Sequence, residues 1–170
     1  FPGDVIGLIN PGLFRVGDIL SAGKDFEVRN FPRFPPEIYA QVAPLEPSMS
    51  KSFGKGLAQL AEEGVVQVFW PRIGPREPVL GVIGELQLEV FRWRLENEYD
   101  VQLRIERKPW TRARWIQEVS DEILEVLNMV VKDEADRFVA LFNSEFEIDY
   151  AKSRYSALEL LEEPPTEEER

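Results

Sequence analysis

Between Glu37 and Glu106 the apolar positions change period in a regular order. Ile38, Ala40 and Val42 alternate with Tyr39 and Gln41, the period-two pattern of a half-buried strand. Met49, Phe53, Leu57 and Leu60 follow at spacings of four, four and three, one helical face opened by Pro47 and Ser48 and closed by Gly64. Val65 to Trp70 reads as a strand, Pro71 to Pro78 as a turn, and Val79 to Ile83 as the next strand. Gly84 starts a second helix with Leu88, Phe91, Leu95 and Tyr99 on one face, and Val101, Leu103 and Ile105 alternate in a fourth strand. Strand, helix, strand, strand, helix, strand predicts the split β-α-β, ferredoxin-like arrangement: a four-stranded antiparallel sheet with two helices on one face.

The flanks are less regular. Asp4–Asn10, Gly17–Leu20 and Phe26–Val28 read as short strands between glycine turns. Three such strands are too few for an independent core. Residues 1–30 are therefore expected to be the closing part of a β-barrel. Phe31-Pro32-Arg33-Phe34-Pro35-Pro36 is a stiff linker, since proline removes ladder donors. After Glu106, Thr111–Gln117 is expected as a strand, Ser120–Met129 as a helix, Phe138–Phe142 as a strand, Glu145–Arg154 as a helix and Ala157–Leu161 as a final strand. From about residue 118 this forms an α/β C-terminal extension of one domain, 37–161, and 162–170 is expected to be a disordered acidic tail. The fold class is α+β.

Charge sharpens this division. Residues 1–117 hold 15 Lys+Arg and 15 Asp+Glu, whereas 118–170 hold 5 and 16, so the extension accounts for the whole net charge of −11. An acidic surface repels phosphate, so nucleic-acid contact is expected from the neutral part. The chain has no cysteine and no histidine. That removes disulfides, thiolate metal sites, and the commonest general base. No run of 18 apolar residues is present, so no membrane partner is expected. The chain starts at Phe1 rather than Met, as expected for a piece of a longer protein or one processed upstream.

Few residues suggest chemistry. Gly54-Lys55-Gly56 lacks the glycine and the Ser/Thr that a phosphate loop needs, and it lies within a helical pattern. Packing glycines, which let the helix approach the sheet, are the better reading. Glu62-Glu63 and Glu85/Glu89 are carboxylate pairs near helix ends, best read as solvated faces. Trp70, Trp93, Trp110 and Trp115 are expected in packing. Arg104, Arg107, Lys108, Arg112 and Arg114, interleaved with Trp110 and Trp115, are the candidate RNA-contact set. Their alternative is a surface strand paired with the acidic extension. Lys51, Lys55, Arg72 and Arg76 form a thinner basic set. No catalytic, cofactor-binding or metal-binding residue is expected.

One segment carries identity. Gly84-Glu85-Leu86-Gln87-Leu88-Glu89-Val90, with Leu60-Ala61-Glu62-Glu63 before it, resembles the third domain of ribosome-binding translational GTPases. Gln87 stands where elongation factors carry His, which is similar to release factor three and to ribosome-protection proteins. Phe1–Leu8, Phe31–Glu37, Lys55–Phe69 and Ala113-Arg114-Trp115 narrow the resemblance to the bacterial class-II peptide chain release factor family, release factor three, over residues 1 to about 117. The resemblance implies the C-terminal part of a ribosome-dependent GTPase of translation termination, one that promotes dissociation of class-I release factors. GTP and magnesium belong to a G domain upstream, so this part is expected to lack GTPase activity and any cofactor of its own. Expected partners are the small ribosomal subunit (RNA and protein), class-I release factors and the family's own G domain, in the cytoplasm. Within Gly84–Val90, Gly84 serves the strand-to-helix turn, Leu86 and Leu88 are expected to pack, and Glu85 and Glu89 sit at the N-terminal end of the helix. The alternatives are a fragment of an elongation-factor-G-like or ribosome-protection GTPase, or a small-molecule-binding regulatory module on the same fold.

Overall fold

The structure is a computed structural model, and it describes residues 2–9, 13, 19–23, 34–74, 76–155 and 158–165. The chain divides into two compact units, 1–33 and 34–170. Among the described residues of the first unit none lies in a strand. Residues 4–9, expected to be extended and paired, have no ladder, and Val5 is 99% exposed. A strand without neighbours leaves its N–H and C=O groups to water and gains nothing from alternation. The expected strand Phe26–Val28 lies outside the described residues, as do Gly17 and Asp18 of the strand expected before it.

The second unit contains β1 (Ile38–Pro44), α1 (Ser50–Glu62), β2 (Gln67–Pro71), β3 (Val79–Val82), α2 (Glu85–Glu98) and β4 (Leu103–Lys108). It continues with β5 (Arg112–Ile116), α3 (Asp121–Val126), β6 (Val130–Lys132), β7 (Phe138–Phe142), α4 (Glu145–Arg154) and β8 (Leu160–Leu161). A short 3-10 turn, Pro47–Met49, leads into α1. The first six elements follow the predicted order and pair as β4-β1-β3-β2, all antiparallel. Phe53, Leu57 and Leu60 of α1 and Leu88, Phe91 and Leu95 of α2 lie on one face of that sheet, over Ala40, Val42, Val68, Leu80 and Val82. This is the arrangement of a ferredoxin-like sheet, with its core between helices and strands.

The remaining elements repeat it. β5-α3-β6-β7-α4-β8 is again strand, helix, strand, strand, helix, strand, and its order β6-β7-β5-β8 mirrors the first. The two copies join edge to edge through β2 and β6, giving one eight-stranded antiparallel sheet. β2 makes this join by dividing its length. Gln67–Phe69 pair with β3, and Trp70–Pro71 pair with β6. In the second copy α3 and α4 cover Ile116, Val130, Ala140 and Phe142. The helix-free faces of both copies share a third core, in which Tyr39, Phe69 and Val79 meet Ala113, Trp115, Val131, Val139 and Leu141. Tyr39 is fully buried there and donates its hydroxyl to the Pro36 carbonyl at 3.2 Å. Burial pushes its phenol above the ordinary range, partly offset by Arg114 and Arg112.

Three expectations change. The helix expected over Ser120–Met129 is six residues long, because Leu127 is already extended and the chain enters β6. β6 itself carried no periodic signal. Among the described residues the final strand is two residues, Leu160–Leu161, and Ala157, where it was expected to begin, lies outside them. Glu162, placed at the start of the acidic tail, accepts from Arg114 at 3.3 Å, and Pro165 accepts from Arg137 at 3.4 Å; residues 166–170 lie outside those described.

Candidate functional site

The segment Gly84–Val90 turns from β3 into α2. Gly84 is the N-cap, extended at φ −146°, and Gln87 reaches back. Its Oε1 accepts from Ile83 N at 2.7 Å and from Gly84 N at 3.3 Å, satisfying donors that a helix start leaves open. α4 uses the same device at the equivalent place. Ser144 Oγ accepts from Glu147 N at 3.4 Å, and Glu147 accepts from Asn143 N at 2.9 Å. Residues 79–91 and 139–151 thus match at an offset of 60, with Gly84 against Ser144, Glu85 against Glu145 and Leu88 against Ile148. That offset was the readable trace of the duplication. Leu88 is buried as expected, but Leu86 is 69% exposed and does not pack. Helical geometry puts position 86 opposite the face formed by Leu88, Phe91 and Leu95.

The five candidate RNA-contact residues stand on two strands, and every one meets a carboxylate. On β4, which is an edge of the sheet, Arg104 pairs with Glu77 at 2.6 Å, Lys108 with Glu106 at 2.5 Å, and Arg107 with Glu85 at the start of α2. Lys108 holds the Glu106 carboxyl below its ordinary range. On β5, Arg112 lies 3.6 Å from Glu145. Arg114 is 6% exposed, and its guanidinium reaches Glu145 and Glu162 at 3.3 Å and its own strand at Ala113 O. The residues facing Arg112 and Arg114 therefore come from the acidic extension, but β5 is a largely buried strand between β7 and β8 rather than the surface strand of the alternative reading. Exposed pairs of this kind contribute little stability and remain exchangeable, whereas Arg114 is withdrawn from solvent. In the thinner set, Arg72 donates to Leu124 O at 3.4 Å, and among the described residues Lys51 and Lys55 have no carboxylate partner.

The remaining candidates are structural. Gly54-Lys55-Gly56 lies inside α1. A Cβ on Gly56 would come within 3.0 Å of Leu95 and Tyr99, so this glycine lets α1 approach α2 rather than the sheet, while Gly54 faces open space. Glu63 binds Arg94 of α2, Glu85 binds Arg107, and Glu89 points outward, so neither carboxylate pair converges. Among the described residues no three His, Cys, Asp or Glu side chains group as a metal site. Trp115 is buried and Trp110 half-buried, but Trp93 is 60% exposed and Trp70 42%. No described helix is long and apolar enough to cross a membrane.

Comparison with known proteins places these features in a family. Residues 28–152 match the family described as "Class II release factor RF3, C-terminal domain". The chain is 41% identical over 165 residues to "Peptide chain release factor 3" of Trichodesmium erythraeum (strain IMS101), covering 94% of this chain and 30% of that protein. It is 41% identical over 165 residues to the protein of the same name from Synechococcus elongatus, with the same coverage. Against the one from Gloeobacter violaceus it is 40% identical over 171 residues, covering 97% of this chain and 32% of the relative. The chain therefore spans about a third of the length of these relatives. It belongs to the class-II peptide chain release factor family and corresponds to that family's C-terminal region, apart from the GTPase domain.

Proposed function

We infer that this chain is the non-catalytic contact and transmission part of a translation-termination GTPase. In this reading the longer protein uses GTP and magnesium in a G domain outside this chain, and it drives class-I release factors off the ribosome in the cytoplasm. The part described here holds the ribosome and the class-I factor and passes on the nucleotide-dependent domain rotation. The observation that supports this is the family match over residues 28–152. Its physical complement is the shared core of the second unit, which joins two α+β copies into one body able to transmit a rotation. Residues 1–30 would complete a β-barrel whose other strands belong to the longer protein. RNA contact would come from cations that can leave their carboxylates, such as Arg104, Arg107, Lys108 and Arg112, and from Lys51 and Lys55.

The test uses the chain as it stands. It is expected to pellet with salt-washed ribosomes at low salt and to be released as salt rises, with no GTP binding by calorimetry. Micromolar GTP affinity, or no pelleting at any salt, would overturn the reading.

A further inference from the structure

The helix α2 is apolar on two faces. Leu88, Phe91 and Leu95 point into the core. Leu86, Val90 and Trp93, at spacings of four and three, form a second stripe that continues from the exposed Ile83 just before the helix. An exposed apolar stripe on the side of a helix away from its own core is a mark of a surface that meets a partner. Its neighbour α1 does not share this character: its exposed positions, among them Lys51, Gly54, Lys55, Gln59 and Glu62, carry no large apolar side chain. The equivalent helix of the second copy does, since Phe146 and Tyr150 stand at the positions of Leu86 and Val90 and are also exposed. No packing need in the described residues accounts for a large side chain at position 86 or 93, and an exposed aromatic beside an aliphatic residue is the composition of an interface anchor.

The charges beside the stripe indicate what covers it. At 100° per residue, Glu85, Glu89 and Glu96 run along one border beside Arg92, and Arg107 of β4 reaches that border to pair with Glu85. On the other border Arg94 is held by two carboxylates, Glu63 and Glu98. Among the described residues Glu89 and Glu96 have no cation partner. Carboxylate outweighs cation on both sides, which disfavours a phosphate backbone and favours a cationic polypeptide.

The geometry points to a docking site on α2 for a segment of a basic protein. Its apolar side chain packs on Leu86 and Trp93, and its lysines or arginines meet Glu89 and Glu96, with the Trp93 ring open to a cation. This deepens the ribosome- and factor-contact reading and rests on it only for the natural source of the partner.

Two arms test it, both with the intact chain. In the first, the probe is an amphipathic helical peptide of Leu and Lys, with a Leu/Glu peptide of the same pattern and polyuridylate RNA as controls. The Leu/Lys peptide is expected to bind, and Leu86→Ala with Trp93→Ala to weaken it at least tenfold with an unchanged melting curve. Equal binding by the double variant, by the Leu/Glu peptide or by the RNA overturns the proposal. In the second arm a photo-reactive phenylalanine analogue replaces Trp93, and the chain is irradiated with salt-washed ribosomes. A cross-link to a basic protein supports the site. A cross-link only to ribosomal RNA, or to a second copy of the chain, overturns it. Failure of the chain to pellet at all defeats the ribosome reading, and the peptide arm still decides whether the docking site exists.

Discussion

Asp133 shows how much one side chain can organise. Its Oδ1 accepts from the backbone of Ala135 at 2.9 Å and of Arg137 at 3.0 Å, shaping the turn between β6 and β7. Its Oδ2 accepts from Arg137 Nε at 2.8 Å and from Trp115 Nε1 at 2.9 Å. Asp136 completes the turn at a left-handed φ of 61°. Asp133→Ala leaves the Trp115 N–H in the shared core without its acceptor and frees a half-buried guanidinium. It is expected to cost about 2–3 kcal/mol, read from urea unfolding curves. A loss below about 0.5 kcal/mol would show that the turn holds without it. No sequence pattern exposes this residue, because it lies in a turn and its partner Trp115 stands 18 residues earlier, in β5. Leu86 is the opposite case. Its apolar character was legible, but a helical period with apolar residues on both faces does not say which face is covered.

At the scale of elements, the pairing of α1 and α2 depends on a close approach and a polar clasp. Gly56 provides the first. Arg94 provides the second by holding Glu63 and Glu98, while Tyr99 donates to Gln59 at 2.5 Å. The Arg94 hydrogen bond, then that of Gln59, lowers the Glu63 pKa. A carboxylate with a depressed folded-state pKa contributes stability above the ordinary glutamate range and loses it as pH falls through the depressed value. Between about pH 5 and about pH 3 the native chain should therefore lose more stability than Arg94→Gln. The difference should stay below about 1 kcal/mol, since the pair is largely exposed. Identical pH slopes in denaturant titrations would remove the clasp from the account. The helices and strands of the first copy were readable because each is long enough to show its period. β6, with three residues, is defined by its partners β2 and β7 rather than by its own pattern, and α3 was overrun for the same reason.

At the scale of the molecule, the second unit has two outer cores and one shared core. Unfolding either copy would expose Tyr39, Phe69 and Val79 or Trp115, Val131 and Leu141 of the other, so neither is expected to survive alone. Tryptophan fluorescence and far-UV circular dichroism should report one coincident transition. Val131→Ala should lower hydrogen-exchange protection in both copies, at a cost of about 2 kcal/mol. Two separated transitions, or lost protection in the second copy alone, would contradict a single folding unit. The repeated topology is hard to see in the sequence because the two halves differ in length and charge. α1 has 13 residues against 6 in α3. Residues 37–108 hold nine Lys+Arg and eleven Asp+Glu, whereas 112–165 hold six and thirteen. Only the segment around the second helix of each copy kept a shared spelling.

The divided pairing of β2 places an unusual demand on inheritance. Val68 faces one core and Phe69 another, and from the very next residue, Trp70, the strand serves a different neighbour. Replacing a side chain there disturbs one contact. Adding or deleting a residue reverses which way every later side chain points and shifts the join to β6. Variation in this strand should therefore appear as exchanges of residue type at constant length, while gains and losses of residues should fall in the turn between Arg72 and Glu77, which are themselves held by Val130 and Arg104.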